Sequence, residues 1–82
     1  MKVDLANIQK MIVHGISVGV SSKEIYLEII AECGIPFDLE NKYLRNSIRQ
    51  MILYHANNNL NLELTRIDNQ KEIEFQKIGK VN

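Results

Sequence analysis

Apolar side chains recur at three- and four-residue steps through residues 5–56 and at two-residue steps after that, so the chain changes its pattern about two thirds of the way along. Asp4 stands where an N-cap is needed, and Leu5, Ile8, Met11, Ile12 and Ile16 follow on one face, predicting a helix from about 5 to 14. Gly15 and Gly19 interrupt that pattern, and the β-branched alternation of Ile16, Val18 and Val20 predicts a short extended piece. Ser21, Ser22, Lys23, Glu24 reads as a capping box that opens a second helix. Its stripe is Ile25, Tyr26, Ile29, Ile30 and Cys33; Gly34 closes it and Pro36 forbids continuation. Asp38 caps a third helix from about Leu39 to Ala56. Leu44, Ile48, Met51, Ile52 and His55 gather on one side of it. Projection at 100° per residue sets Lys42, Asn46, Arg49 and Gln50, flanked by Arg45, on the other.

Past Asn57, Asn58 and Asn59, a run that reads as a linker, Leu60, Leu62 and Leu64 alternate with polar residues, and Ile73 and Phe75 alternate with Glu72, Glu74 and Gln76. Two strands are predicted, joined by a tight turn at Asp68 and Asn69 that pairs Leu64 with Ile73 and Leu62 with Phe75. A one-residue slip would bring Glu74 onto the apolar face, which fixes the register. The expected fold is therefore α+β: a three-helix bundle with a C-terminal β-hairpin, spanning residues 1–82 as one domain.

Composition narrows the function classes. With ten basic and ten acidic side chains in 82 residues the formal charge is zero, which excludes indiscriminate coating of nucleic acid but leaves room for a specific contact. A single cysteine, Cys33, and two histidines, His14 and His55, give no disulfide framework and no zinc site, and no cofactor is expected. Cys33 falls on an apolar stripe and reads as a small core residue. An acid at position 4 and the short apolar runs argue against a signal peptide or a membrane span, so a reducing, cytoplasmic setting is expected. No nucleophile stands with a base, and Gly15 and Gly19 lack the G-K-[ST] continuation of a nucleotide loop, so an enzyme is not expected.

Helix, short extended piece, helix, turn, long helix and hairpin is an order that resembles the winged helix-turn-helix family over nearly the whole chain. The nearest parallel is the globular domain of linker histones, whose second helix also opens at a serine pair and whose third carries a step like Ser47, Ile48, Arg49. Unlike that domain, this hairpin region carries Glu63, Asp68, Glu72 and Glu74 against Arg66, Lys71, Lys77 and Lys80. The resemblance implies that the third helix enters the major groove and the hairpin meets the backbone nearby. By position it assigns base reading to Lys42, Arg45, Asn46, Arg49 and Gln50, a phosphate anchor to Ser22 and Lys23, and a wing contact to Arg66 and Lys71.

Residues 38–59 have three basic and two acidic side chains, too few for strong monomeric binding, so a homodimer on double-stranded DNA is expected. The reading is a small sequence-specific DNA-binding regulator. The abundance of Asn and Ile agrees with the AT-rich coding of a low-GC bacterium, plasmid or phage. The alternative is a protein-interaction module that docks on a host protein or another regulator; the neutral charge, the acidic hairpin, and Leu53 projecting outward favour it. The polar face of the third helix reads equally well as a solvated surface, and Tyr43 and Tyr54 as cover for the hairpin or a partner.

Overall fold

A computed structural model describes residues 1–56 and 61–79. They form four α-helices, α1 (Leu5–Ser17), α2 (Ser22–Cys33), α3 (Lys42–Ala56) and α4 (Asn61–Gly79), with one 3-10 turn, Leu39–Asn41, leading into α3. The run Asn57 to Asn59 lies outside the described residues.

Local chemistry sets most boundaries. The Asp4 carboxylate accepts from the backbone N–H groups of Ala6 and Asn7, starting α1, and the Ser21 hydroxyl accepts from Glu24 N–H at 3.2 Å, starting α2. Asp38 accepts from the backbone and side chain of Asn41 and so caps the 3-10 turn rather than an α-helix. Gly34, at φ +66°, ends α2 in the left-handed conformation, and Gly19, at φ +84°, makes the turn between α1 and α2.

Gly15 does not break α1, and the extended piece expected over 16–20 is absent. The helix runs on to Ser17, because Gly15 lies under α2 at a point where even a methyl group would sit 2.7 Å from Ile25 Cγ1. The missing side chain there permits close helix packing instead of marking an end.

α2 and α3 each touch all three of the other helices. Ile8 and Ile12 of α1, Ile25, Tyr26, Ile29, Ile30 and Cys33 of α2, Ile35 in the following loop, and Ile48 and Ile52 of α3 form the buried core, to which α4 adds Leu64. Each such isoleucine contributes about 1.5–3 kcal/mol of transfer free energy. The backbone N–H of Lys2 donates to Cys33 carbonyl at 2.9 Å, tying the start of the chain to the end of α2.

The C-terminal β-hairpin is overturned: the described residues contain no strand, and the fold class is all-α. Residues 61–78 hold neither Pro nor Gly and are rich in Leu, Glu, Gln, Lys and Arg, which favour helix. The side chains α4 turns inward are Leu64, Asp68 and Glu72, a four-residue step, with Ile67 packed beside them. The two-residue alternation was coincidental: Leu62 is 82% exposed while Leu64 is buried, and Ile73 and Phe75 are both exposed. Asp68 and Asn69, expected at a turn, lie in mid-helix.

Candidate functional site

On the side of α3 expected to face outward, α4 covers Arg45 and Arg49 and leaves Lys42 and Gln50 exposed. The buried residues of α3 are Arg45, Ile48, Arg49 and Ile52, so one stripe carries both the apolar contacts to the core and two guanidinium groups. Arg45 is 0% exposed and almost fully satisfied. Its Nε donates to Asp68 Oδ1 at 2.5 Å, Nη1 donates to the carbonyls of Pro36 and Asp38 at 2.8 and 2.6 Å, and Nη2 donates to Glu72 at 3.2 Å. The guanidinium also stacks over Phe37, 5.5 Å from the ring centroid.

Arg49 joins from one turn on. Its Nη2 donates to Asn46 Oδ1 at 2.6 Å, and Nη1 lies 3.2 Å from Asp68 Oδ2, within ion-pair distance but misaligned as a hydrogen bond. The hydroxyl of Tyr26 on α2 donates to Asp68 as well. Two arginines therefore face two carboxylates, and α4 is fastened to α3 and α2 by charge and hydrogen bonding around one buried aspartate.

This environment shifts the Tyr26 phenol. Burial pushes its pKa well above the ordinary tyrosine range; the hydrogen bond to Asp68 and that carboxylate's charge add to the rise, while Arg49 and Arg45 oppose it. Burial likewise raises the Cys33 thiol, with the charge of Glu32 adding to the effect.

The nine residues singled out for DNA contact do not converge on one surface. Arg45, Asn46 and Arg49 come together but turn inward toward α4, with Asn46 half-buried as the acceptor for Arg49. Lys42 and Gln50 are exposed near the start and middle of α3. Ser22 and Lys23 lie at the start of α2 beside Glu63 and Leu64 of α4, so a carboxylate shares the place where a phosphate was expected. Arg66 and Lys71, expected at a hairpin tip, are spread along α4, and Lys71 pairs with Glu74 at 3.5 Å. Between α1 and α2 the Gly19 turn makes a compact helix pair, but the outer face of α2 carries Glu24, Glu28 and Glu32 against Lys23, a sign that repels phosphate.

A different surface stands out. Gln9 and Val13 of α1 with Gln50, Met51, Tyr54 and His55 of α3 line a groove of about 380 Å³. Tyr54 is 84% exposed at its edge, its ring edge-on to His55 with centroids 5.2 Å apart. Ala6, Lys10, His14 and Ser17 continue the same strip along α1. Neither α1 nor α3 contains an aspartate or glutamate, whereas α2 and α4 together carry seven. The groove is thus apolar, and Lys10, on the adjoining strip of α1, is the one formally charged side chain along it.

Sequence reasoning placed Tyr54 as cover for the hairpin or a partner and set Met51 and His55 on the core side of α3, but passed over Gln9 and Val13, which fall on no apolar stripe. Asp68 and Glu72 were also missed as partners of Arg45 and Arg49. The available signal was the matched four-residue step in both charge pairs. Among the described residues no three His, Cys, Asp or Glu side chains group as metal ligands, and no helix is long and apolar enough to cross a membrane. No family model, no curated protein and no solved structure matches the chain.

Proposed function

We propose that the chain is a protein-interaction module, a small helical domain whose α1–α3 groove receives an apolar segment of another polypeptide. The observation that carries this reading is the contrast between the two sides of α3. Arg45 and Arg49, which a DNA-reading helix would need to present, are buried against Asp68 and Glu72. The exposed groove instead offers Val13, Met51 and Tyr54, the aliphatic and aromatic side chains that anchor protein contacts.

With two arginines and two carboxylates engaged internally, eight cations and eight anions remain for the rest of the chain, too balanced for strong phosphate binding. The test pairs two assays. Fluorescence anisotropy with a mixed-sequence DNA duplex at low salt is expected to give no saturable binding. Affinity capture from nuclease-treated lysate is expected to retain a protein that is lost with Val13→Asp. Tight duplex binding that falls steeply with salt would instead support the regulator reading.

A further inference from the structure

We infer that Tyr26, Arg45 and Arg49 form a carboxylate receptor in a cleft between α2 and α3, that α4 is its resident ligand, and that the cleft takes in exchange an acidic helix of another polypeptide. That helix carries an apolar residue and then two acids at four-residue steps, the pattern of Leu64, Asp68 and Glu72. The cleft is a different surface from the α1–α3 groove, and the chemistry of its occupant is read from the contacts α4 makes there.

The receptor is held by residues outside α4. Arg45 Nη1 is fixed by the carbonyls of Pro36 and Asp38 and its guanidinium lies over the Phe37 ring, while Asn46 holds Arg49 Nη2. Tyr26 is anchored by its ring in the isoleucine core. Three side chains on two helices therefore converge on one carboxylate without needing α4 to place them, which is the preorganisation a binding site gains affinity from. Leu64, 1% exposed, fills an apolar socket beside them, and that suits an amphipathic helix and not a phosphate backbone.

α4 is separable from the rest. Among the described residues, Leu64 is the one buried apolar side chain it gives the core, and its side chains from Ile73 to Ile78 are all exposed. The remaining attachment is the buried ionic cluster, where desolvation offsets much of the attraction. The fit is also incomplete. Arg49 Nε and Nη1 and Asp68 Oδ2 are buried without a hydrogen-bond partner, so the resident carboxylate leaves one guanidinium edge unfilled. A partner whose acids also reach that edge makes bonds α4 does not, and this difference is what displaces α4. On its departure α3 presents Lys42, Arg45 and Arg49 with no acid of its own, a surface complementary to an acidic helix.

The probe is a labelled synthetic peptide with the sequence of residues 61–78, titrated into the intact chain and followed by fluorescence anisotropy. The tethered α4 competes at an effective concentration on the order of 1 mM, so the wild-type chain binds the peptide weakly. Glu72→Gln in the chain loosens α4 at the partly exposed end of the cluster and is expected to tighten peptide binding about tenfold with unchanged helical circular dichroism. A peptide carrying Asp68→Ala and Glu72→Ala is expected to bind at least about tenfold more weakly than the parent peptide, and Val13→Asp in the chain to leave binding unchanged. Independently of any variant, native-state hydrogen exchange of the wild-type chain is expected to show α4 amides exchanging at least about tenfold faster than the slowest amides of α2. A Glu72→Gln chain no more receptive than wild type, a peptide indifferent to its acids, binding lost with Val13→Asp, displacement of the peptide by a DNA duplex, or α4 amides as protected as those of α2 would overturn the proposal.

Discussion

Residues 5–56 and residues 61–79 are held in place by different forces. The first three helices interlock through isoleucines, with α2 contributing five buried side chains to a shared core. α4 gives that core one buried apolar side chain, Leu64, and otherwise attaches through Asp68 and Glu72. Apolar packing tolerates small shifts, whereas a buried ionic cluster holds only when each partner is present. The three-helix body is therefore defined by shape and the placement of α4 by charge, which fixes one orientation of the fourth helix.

Removing the centre of the cluster should separate the two regions most sharply. Asp68→Ala leaves two buried guanidinium groups without their shared carboxylate and is expected to cost about 3–5 kcal/mol in urea unfolding. Native-state hydrogen exchange should show α4 amides losing protection before those of α2. Ile29→Ala, at the heart of α2, is expected to cost about 2–5 kcal/mol and to lower protection in α1, α2 and α3 together.

Tyr26 bridges the regions, since its ring is in the isoleucine core and its hydroxyl in the cluster. Tyr26→Phe is expected to cost about 1.5–3 kcal/mol at neutral pH, the range for a hydrogen bond to a charged group. Its folded pKa is raised, so the stabilisation is complete below the ordinary tyrosine value and declines as pH rises past it. Chemical denaturation above pH ~10 should show a decline of up to ~1.4 kcal/mol per pH unit from this group, absent in the phenylalanine variant. The smallest effect is expected for Lys71→Ala, which removes an exposed pair with Glu74 and should change stability by no more than about 0.5 kcal/mol.

The same division explains what the sequence disclosed. Asp4, Ser21 and Gly34 act within a few residues of themselves, so the bounds of α2 and the start of α1 were legible. Cys33 was legible as core because its neighbours at four-residue spacing are all apolar. The start of α3 was close, with Asp38 capping a 3-10 turn ahead of it. Its inward face was misaimed, because two arginines were assigned to solvent when their carboxylate partners lie 19 to 27 residues later. In α4 the packing stripe is half ionic, so hydropathy showed the incidental alternation and concealed the Leu64, Asp68, Glu72 step. Of the expected DNA-contacting set, the identity of the cationic cluster on α3 was legible but its direction was not. Of the groove's lining, Tyr54 was legible as cover for a partner, while Met51 and His55 were assigned to the core side of α3 and Gln50 to its polar face.

A double-mutant cycle between Arg45 and Asp68, using Arg45→Met and Asp68→Leu, measures most directly whether the α3 cations are internal fasteners for α4. Each single substitution should be strongly destabilising, and the double should cost less than their sum by more than about 1 kcal/mol, because neither variant charge is then left buried alone. Single effects that add within about 0.5 kcal/mol would show the two side chains to be independent and would return Arg45 to the surface.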